Sequence, residues 1–121
     1  ALMLPVSAPF HSSLLKPAAE RLVEYMSNVT FNVPTIPVVN NVDVAAVNDP
    51  RAIKAALARQ ACSPVRWVEV IRNMASAGVT QVVECGPGKV LAGMTQRIDK
   101  SLQGFAITDP VSLTQTLEAL K

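Results

Sequence analysis

The chain has 121 residues, half of them hydrophobic, 17% charged and 4% aromatic, with a formal charge of +2 and mean hydropathy of +0.30. This allows one small, largely aliphatic core; the scattered Lys and Arg, with few aromatics to stack on bases, argue against nucleic-acid binding, and no apolar run is long enough to cross a membrane. Cys62 and Cys85, with one histidine in the chain, cannot assemble a zinc set and, with no secretory signal visible, read as reduced thiols of a cytoplasmic protein.

Ala1 to Val6 reads as a short extended segment. Pro5 and Pro9 keep the approach to His11 extended, because each fixes its own φ and pushes the preceding residue out of the helical region. Leu14, Ala18, Leu22 and Met26, flanked by Leu15, Ala19 and Val23, form the i, i+4 stripe of a helix with one buried face. Pro17 falls near its first turn, where few backbone N–H groups have helical partners. His11, the single histidine, therefore sits on a stiff loop just before a helix anchored in the core. A catalytic imidazole needs such a placement, although a packed or surface histidine fits the same pattern. Phe31 to Pro34 is a loop, and Thr35 to Asn40 is a β-branched, apolar strand with Pro37 at its start.

Asp49-Pro50 predicts a helix start, with Asp as N-cap and Pro in the first turn. The helix runs to about Ala61 with Ile53, Leu57 and the alanines inward. Ser63-Pro64 repeats the signal and opens a helix with Trp67, Val70, Ile71 and Met74 on one face and Gly78 as its C-cap. Thr80 to Cys85 is a second strand. Gly86-Pro87-Gly88 turns the chain into a helix bearing Val90, Leu91, Met94 and Ile98. Gly104 to Ile107 is a third strand, and Asp109-Pro110 caps a last helix with Leu113, Leu117 and Leu120 inward. Strands alternating with helices predict an α/β architecture with short parallel strands. Three such strands cannot bury the apolar surface of five helices, so the chain, which also opens without Met, is expected to be the C-terminal part of a larger domain. The turn at Gly86-Pro87-Gly88-Lys89 is no nucleotide loop, since the Walker pattern is longer and has Ser or Thr after the Lys, where Val90 stands.

Three stretches carry a family resemblance. Leu4-Pro5-Val6-Ser7-Ala8-Pro9-Phe10-His11-Ser12-Ser13-Leu14-Leu15-Lys16-Pro17 resembles the segment around the catalytic histidine of malonyl-CoA:acyl-carrier-protein transacylases of bacterial fatty-acid synthesis. Gln60-Ala61-Cys62-Ser63-Pro64-Val65-Arg66-Trp67 is similar to their Gln-x-x-x-Pro-Val-x-Trp pattern, and Glu84-Cys85-Gly86-Pro87-Gly88-Lys89-Val90-Leu91 to their Glu-x-Gly-Pro-Gly-x-x-Leu segment. The order is the family's, and the resemblance, which also takes in Pro34 to Asp43, extends over essentially the whole chain.

The resemblance implies the C-terminal part of the large acyltransferase subdomain of an α/β-hydrolase-like enzyme over residues 1–121. The nucleophile-bearing part and the ferredoxin-like subdomain lie elsewhere, and no Gly-x-Ser-x-Gly occurs in the sequence. It implies His11 as the general base, the main-chain carbonyl of Gln60 as the acceptor that orients it, and Phe10 as a substrate-binding residue. In this reading a malonyl group passes from malonyl-CoA through a serine acyl-enzyme to the phosphopantetheine thiol of acyl carrier protein, with no metal or redox cofactor. The implied partners are malonyl-CoA, acyl carrier protein and the N-terminal part of the same enzyme, and the piece alone is expected to be inactive. Two other readings compete. One is a related serine hydrolase, with Asp43 as a triad acid, against which chain order speaks because every acidic residue follows His11. The other is a small α/β binding module in which His11 is structural.

Overall fold

Aspartate–proline pairs and one glycine punctuate the helices of the computed structural model, which describes residues 8–121. The expected extended segment Ala1 to Val6, with Pro5, lies outside the described residues. The chain divides into two units, Ala1–Trp67 and Val68–Lys121.

In the first unit a 3₁₀ turn, Ser13–Leu15, leads into helix α1, Lys16–Ser27, with Pro17 in its first turn. Strands β1, Val39–Asn40, and β2, Ala45–Ala46, pair antiparallel with Val39 opposite Ala46 and Asn40 opposite Ala45. Helix α2, Pro50–Cys62, is capped by Asp49, whose carboxylate accepts from the Ala52 amide at 2.8 Å. α1 and α2 pack together. Lys54 of α2 closes the far end of α1: its Nζ donates to the carbonyls of Met26 and Val29, both at 2.6 Å, and lies 5.0 Å from the Phe31 ring centroid. A cation there satisfies carbonyls that the helix itself leaves unpaired and opposes the helix dipole. Ala19, Met26 and Ala56 are buried.

Four expectations for this unit change, one being that Leu57, expected inward on α2, is exposed. The strand foreseen at Thr35 to Asn40 shrinks to Val39–Asn40 and pairs antiparallel within a hairpin, since Pro34 and Pro37 offer no N–H to a ladder. Ser63-Pro64 does not start the next helix; Ser63 is extended (φ −121°, ψ 153°), as a residue before proline must be, and ends α2 instead. The α1 stripe is narrower than expected, because Leu14 falls in the 3₁₀ turn and is 71% exposed.

In the second unit, helix α3, Trp67–Ser76, begins at the boundary and buries Val70 and Ile71. It ends as foreseen at Gly78 (φ +89°). The Val79 amide donates to the Met74 carbonyl and the Gly78 amide to that of Ala75, the two bonds of a Schellman motif. Strands β3, Gln81–Cys85, and β4, Gln103–Ile107, run parallel in register from Gln81 with Gln103 to Cys85 with Ile107. Helix α4, Val90–Ile98, connects them, and helix α5, Pro110–Ala119, follows with Asp109 and Ser112 forming a reciprocal capping box. Leu102 is buried, and α4 and α5 both pack on β4.

The leucines expected inward on α5 are exposed, and so are most of the apolar residues that α4 carries. Thr95 and Thr116 are the buried residues of these helices, whereas Val90, Leu91 and Met94, and Leu113, Leu117 and Leu120, are exposed. Two strands offer little surface to cover, and a Thr hydroxyl can be buried because it bonds its own helix, as Thr95 does to the Leu91 carbonyl at 2.9 Å. Among the described residues no helix is long and apolar enough to cross a membrane.

Candidate active site

The loop that carries His11 is bound to itself. The Phe10 amide donates to the Ala8 carbonyl at 2.9 Å around Pro9, and the Ser12 hydroxyl donates to the Pro9 carbonyl at 2.7 Å. The Leu15 amide donates to the Ser12 carbonyl at 3.0 Å, which starts the 3₁₀ turn. These bonds bend the backbone so sharply that His11 takes φ +55°, a left-handed conformation uncommon outside glycine, though histidine tolerates it better than most. Such a conformation persists where neighbouring bonds impose it, and it is found disproportionately at functional sites.

The ring of His11 is exposed, and its Nδ1 lies 3.0 Å from the Gln60 carbonyl oxygen. An amide oxygen can only accept, so Nδ1 carries the proton and Nε2 presents a lone pair when the ring is neutral. Gln60 lies in the last turn of α2, and the residue four positions on, whose N–H would close the helical bond, is Pro64. Proline has no N–H, so this carbonyl is free to serve a side chain from elsewhere in the chain. The Gln60–Pro64 spacing that frees this carbonyl stands in the sequence itself.

Phe10, adjacent to His11, is 60% exposed. Asp43 does not reach the imidazole as a triad acid would: its carboxylate pairs with Arg59 at 2.5 Å, and a main-chain carbonyl occupies the position on Nδ1. This weakens the hydrolase reading. A groove of about 510 Å³ between α1 and α2, lined by Val23, Met26, Lys54, Ala58 and Arg59 among others, is lined by none of the predicted site residues.

The Gly86–Gly88 turn is likewise no anion site. The Glu84 carboxylate reaches over the start of α4 and accepts from the Ala92 amide at 2.8 Å. A carboxylate already occupies the end of the helix dipole where a phosphate would bind. Beyond the turn, β4 passes so close to α4 that a Cβ on Gly104 would stand 2.6 Å from the Ala92 carbonyl oxygen.

No protein-family model matches the chain. Relatives are nevertheless clear. The chain is 48% identical over 118 residues to the malonyl CoA-acyl carrier protein transacylase of Escherichia coli (strain K12), a match covering 98% of this chain and 38% of that protein. Its backbone superposes on the crystal structure of the acyl-carrier-protein S-malonyltransferase of Burkholderia pseudomallei with a TM-score of 0.92 and 62% identity, over 98% of this chain and 38% of that one. A malonyl-transacylase solved in complex with its type II polyketide-synthase acyl-carrier protein matches with a TM-score of 0.92 and 45% identity, over 96% and 38% of the two chains. The chain thus spans about two fifths of the length of the proteins it matches.

Proposed function

The chain belongs to the malonyl CoA-acyl carrier protein transacylase family, corresponding to its C-terminal portion, and on that premise we propose that it supplies the general base, His11, for malonyl transfer from malonyl-CoA to the thiol of an acyl carrier protein. The observation that carries this reading is the 3.0 Å contact between His11 Nδ1 and the Gln60 carbonyl on a backbone held at φ +55°. A bystander histidine has no need of a fixed tautomer; a base does, because only one nitrogen can take up the proton.

The chemistry follows from that tautomer. A serine hydroxyl, supplied from outside this sequence, gives its proton to His11 Nε2 as its oxygen attacks the malonyl thioester carbon. Collapse of the tetrahedral intermediate breaks the C–S bond, and the CoA sulfur leaves with the proton held on Nε2. In the second half-reaction the phosphopantetheine thiol gives its proton to Nε2 and attacks the acyl-serine ester, and the serine oxygen leaves with that proton. Throughout, the Gln60 carbonyl accepts from Nδ1–H and stabilises the imidazolium formed in each half. Phe10, next to the base, borders the acyl group in this reading.

The test is His11→Ala in the full-length protein, with malonyl transfer to acyl carrier protein as the readout. Loss of a general acid–base group costs about two to four orders of magnitude. A loss of less than tenfold would remove His11 from the chemistry.

A further inference from the structure

Gln60 is held by more than its helix. The residue before it, Arg59, places Nη2 2.5 Å from Asp43 Oδ2 on the turn between β1 and β2. Beyond it, the Arg66 amide donates to the Asn41 carbonyl at 3.0 Å, and Arg66 Nη1 donates to the Val42 carbonyl at 3.3 Å. One turn therefore grips the chain on both sides of Gln60.

That turn is stiffly built. Asn40 Oδ1 accepts from the Asp43 amide at 2.7 Å, Asn40 Nδ2 donates to the Ala45 carbonyl at 2.8 Å, and the Val44 amide donates to the Asn40 carbonyl at 3.1 Å. It closes with Val44 at φ +58°, where a β-branched side chain is strongly disfavoured. Val44 and His11 are the two non-glycine residues of positive φ among the described residues. One adjoins the partner of Arg59 and the other touches Gln60, so both strained positions flank the end of α2. An ion pair half open to water contributes little to stability as such. Its consequence here is positional, because Pro64 leaves the end of α2 without the helical bond that would fix the Gln60 carbonyl.

We propose that Asp43 and Arg59 are positioning residues: their ion pair holds the Gln60 carbonyl where it fixes the His11 imidazole as the Nδ1–H tautomer. The proposal rests on His11 acting as the base, and its test separates the two. In the full-length protein, Asp43→Ala and Arg59→Met are compared with the wild type by steady-state malonyl transfer and by ¹⁵N chemical shifts of the His11 ring, which distinguish Nδ1–H from Nε2–H. Arg59→Lys keeps the charge but loses the planar fork; it is expected to fall between, and it serves where the truncations do not fold. Each truncation is expected to lower kcat about tenfold, as for a small misplacement of a reacting group, to leave KM for malonyl-CoA unchanged, and to populate the Nε2–H tautomer. Wild-type kcat with an unchanged tautomer overturns the proposal. So does a fall in kcat with the tautomer unchanged, which marks ordinary destabilisation. A changed tautomer with undiminished transfer upholds the positioning pair and counts instead against His11 as the base.

Discussion

Gly104 and Gly93 lie close together on β4 and α4, and alanine at the two positions is expected to act in opposite directions. A Cβ on Gly104 would meet the Ala92 carbonyl oxygen at 2.6 Å, its carbon at 3.2 Å and its Cα at 3.4 Å. An ordinary carbon–oxygen contact begins at about 3.3 Å, so α4 and β4 must separate by roughly 0.7 Å. The obstructing atoms are backbone, in the same turn that Glu84 caps through the Ala92 amide, so no side chain can rotate away. Overpacking of this kind costs about 1–3 kcal/mol, offset by about 0.5–1 kcal/mol because alanine loses less backbone freedom than glycine on folding. The net expectation for Gly104→Ala is a loss of about 0–2.5 kcal/mol, centred on about 1.2 kcal/mol. At Gly93, inside α4, an added Cβ meets nothing within 4 Å. Gly93→Ala should therefore gain about 0.8–1 kcal/mol from helix propensity alone. Denaturant unfolding of the full-length protein reads both, as midpoints that move in opposite directions with the slope unchanged. If Gly104→Ala raised the midpoint, the close approach of α4 to β4 would not be the reason for glycine there.

Gln60→Ala should keep most of the transfer activity, because the carbonyl that faces His11 survives the substitution; a hundredfold fall in kcat would place the function in the amide side chain instead. Phe10→Ser should narrow the preference for malonyl- over methylmalonyl-CoA, since one methyl in such a pocket is worth roughly 1–3 kcal/mol, and unchanged discrimination would take Phe10 out of the pocket. Asp109 is held below the usual aspartate range by hydrogen bonds from the backbone and then the side chain of Ser112. A depressed folded pKa means the α5 cap is intact at neutral pH and is lost as pH falls through the acid range below about 4. Amide protection in the first turn of α5, taken relative to intrinsic exchange, should fall there, and Asp109→Asn, an uncharged cap, should remove that loss of protection.

Much of the helical framework was legible in the sequence because its punctuation acts over three or four residues. Asp49-Pro50 and Asp109-Pro110 each cap a helix, and Gly78 ends one in a left-handed turn, as their local chemistry requires. The partition into strands was less legible. Thr35 to Asn40 has the composition of a strand, but pairing depends on a partner elsewhere in the chain and on N–H groups that Pro34 and Pro37 lack. The face of α5 was misjudged for a related reason. Periodicity shows that a helix has an apolar side, not what stands opposite it, and here Thr95 and Thr116 are buried while Leu91, Leu113, Leu117 and Leu120 are exposed.

The site divides along the same line. His11 on a proline-stiffened loop and Gln60 at a helix end, four residues before Pro64, are local facts readable from neighbouring residues. Their meeting at 3.0 Å across 49 positions, and the engagement of Asp43 by Arg59 rather than by the imidazole, were decided only by tertiary structure. Hydrogen-bond chemistry says which groups need partners. The path of the chain, through the hairpin that ends at Val44 and the left-handed turn at His11, decides which partners come within reach.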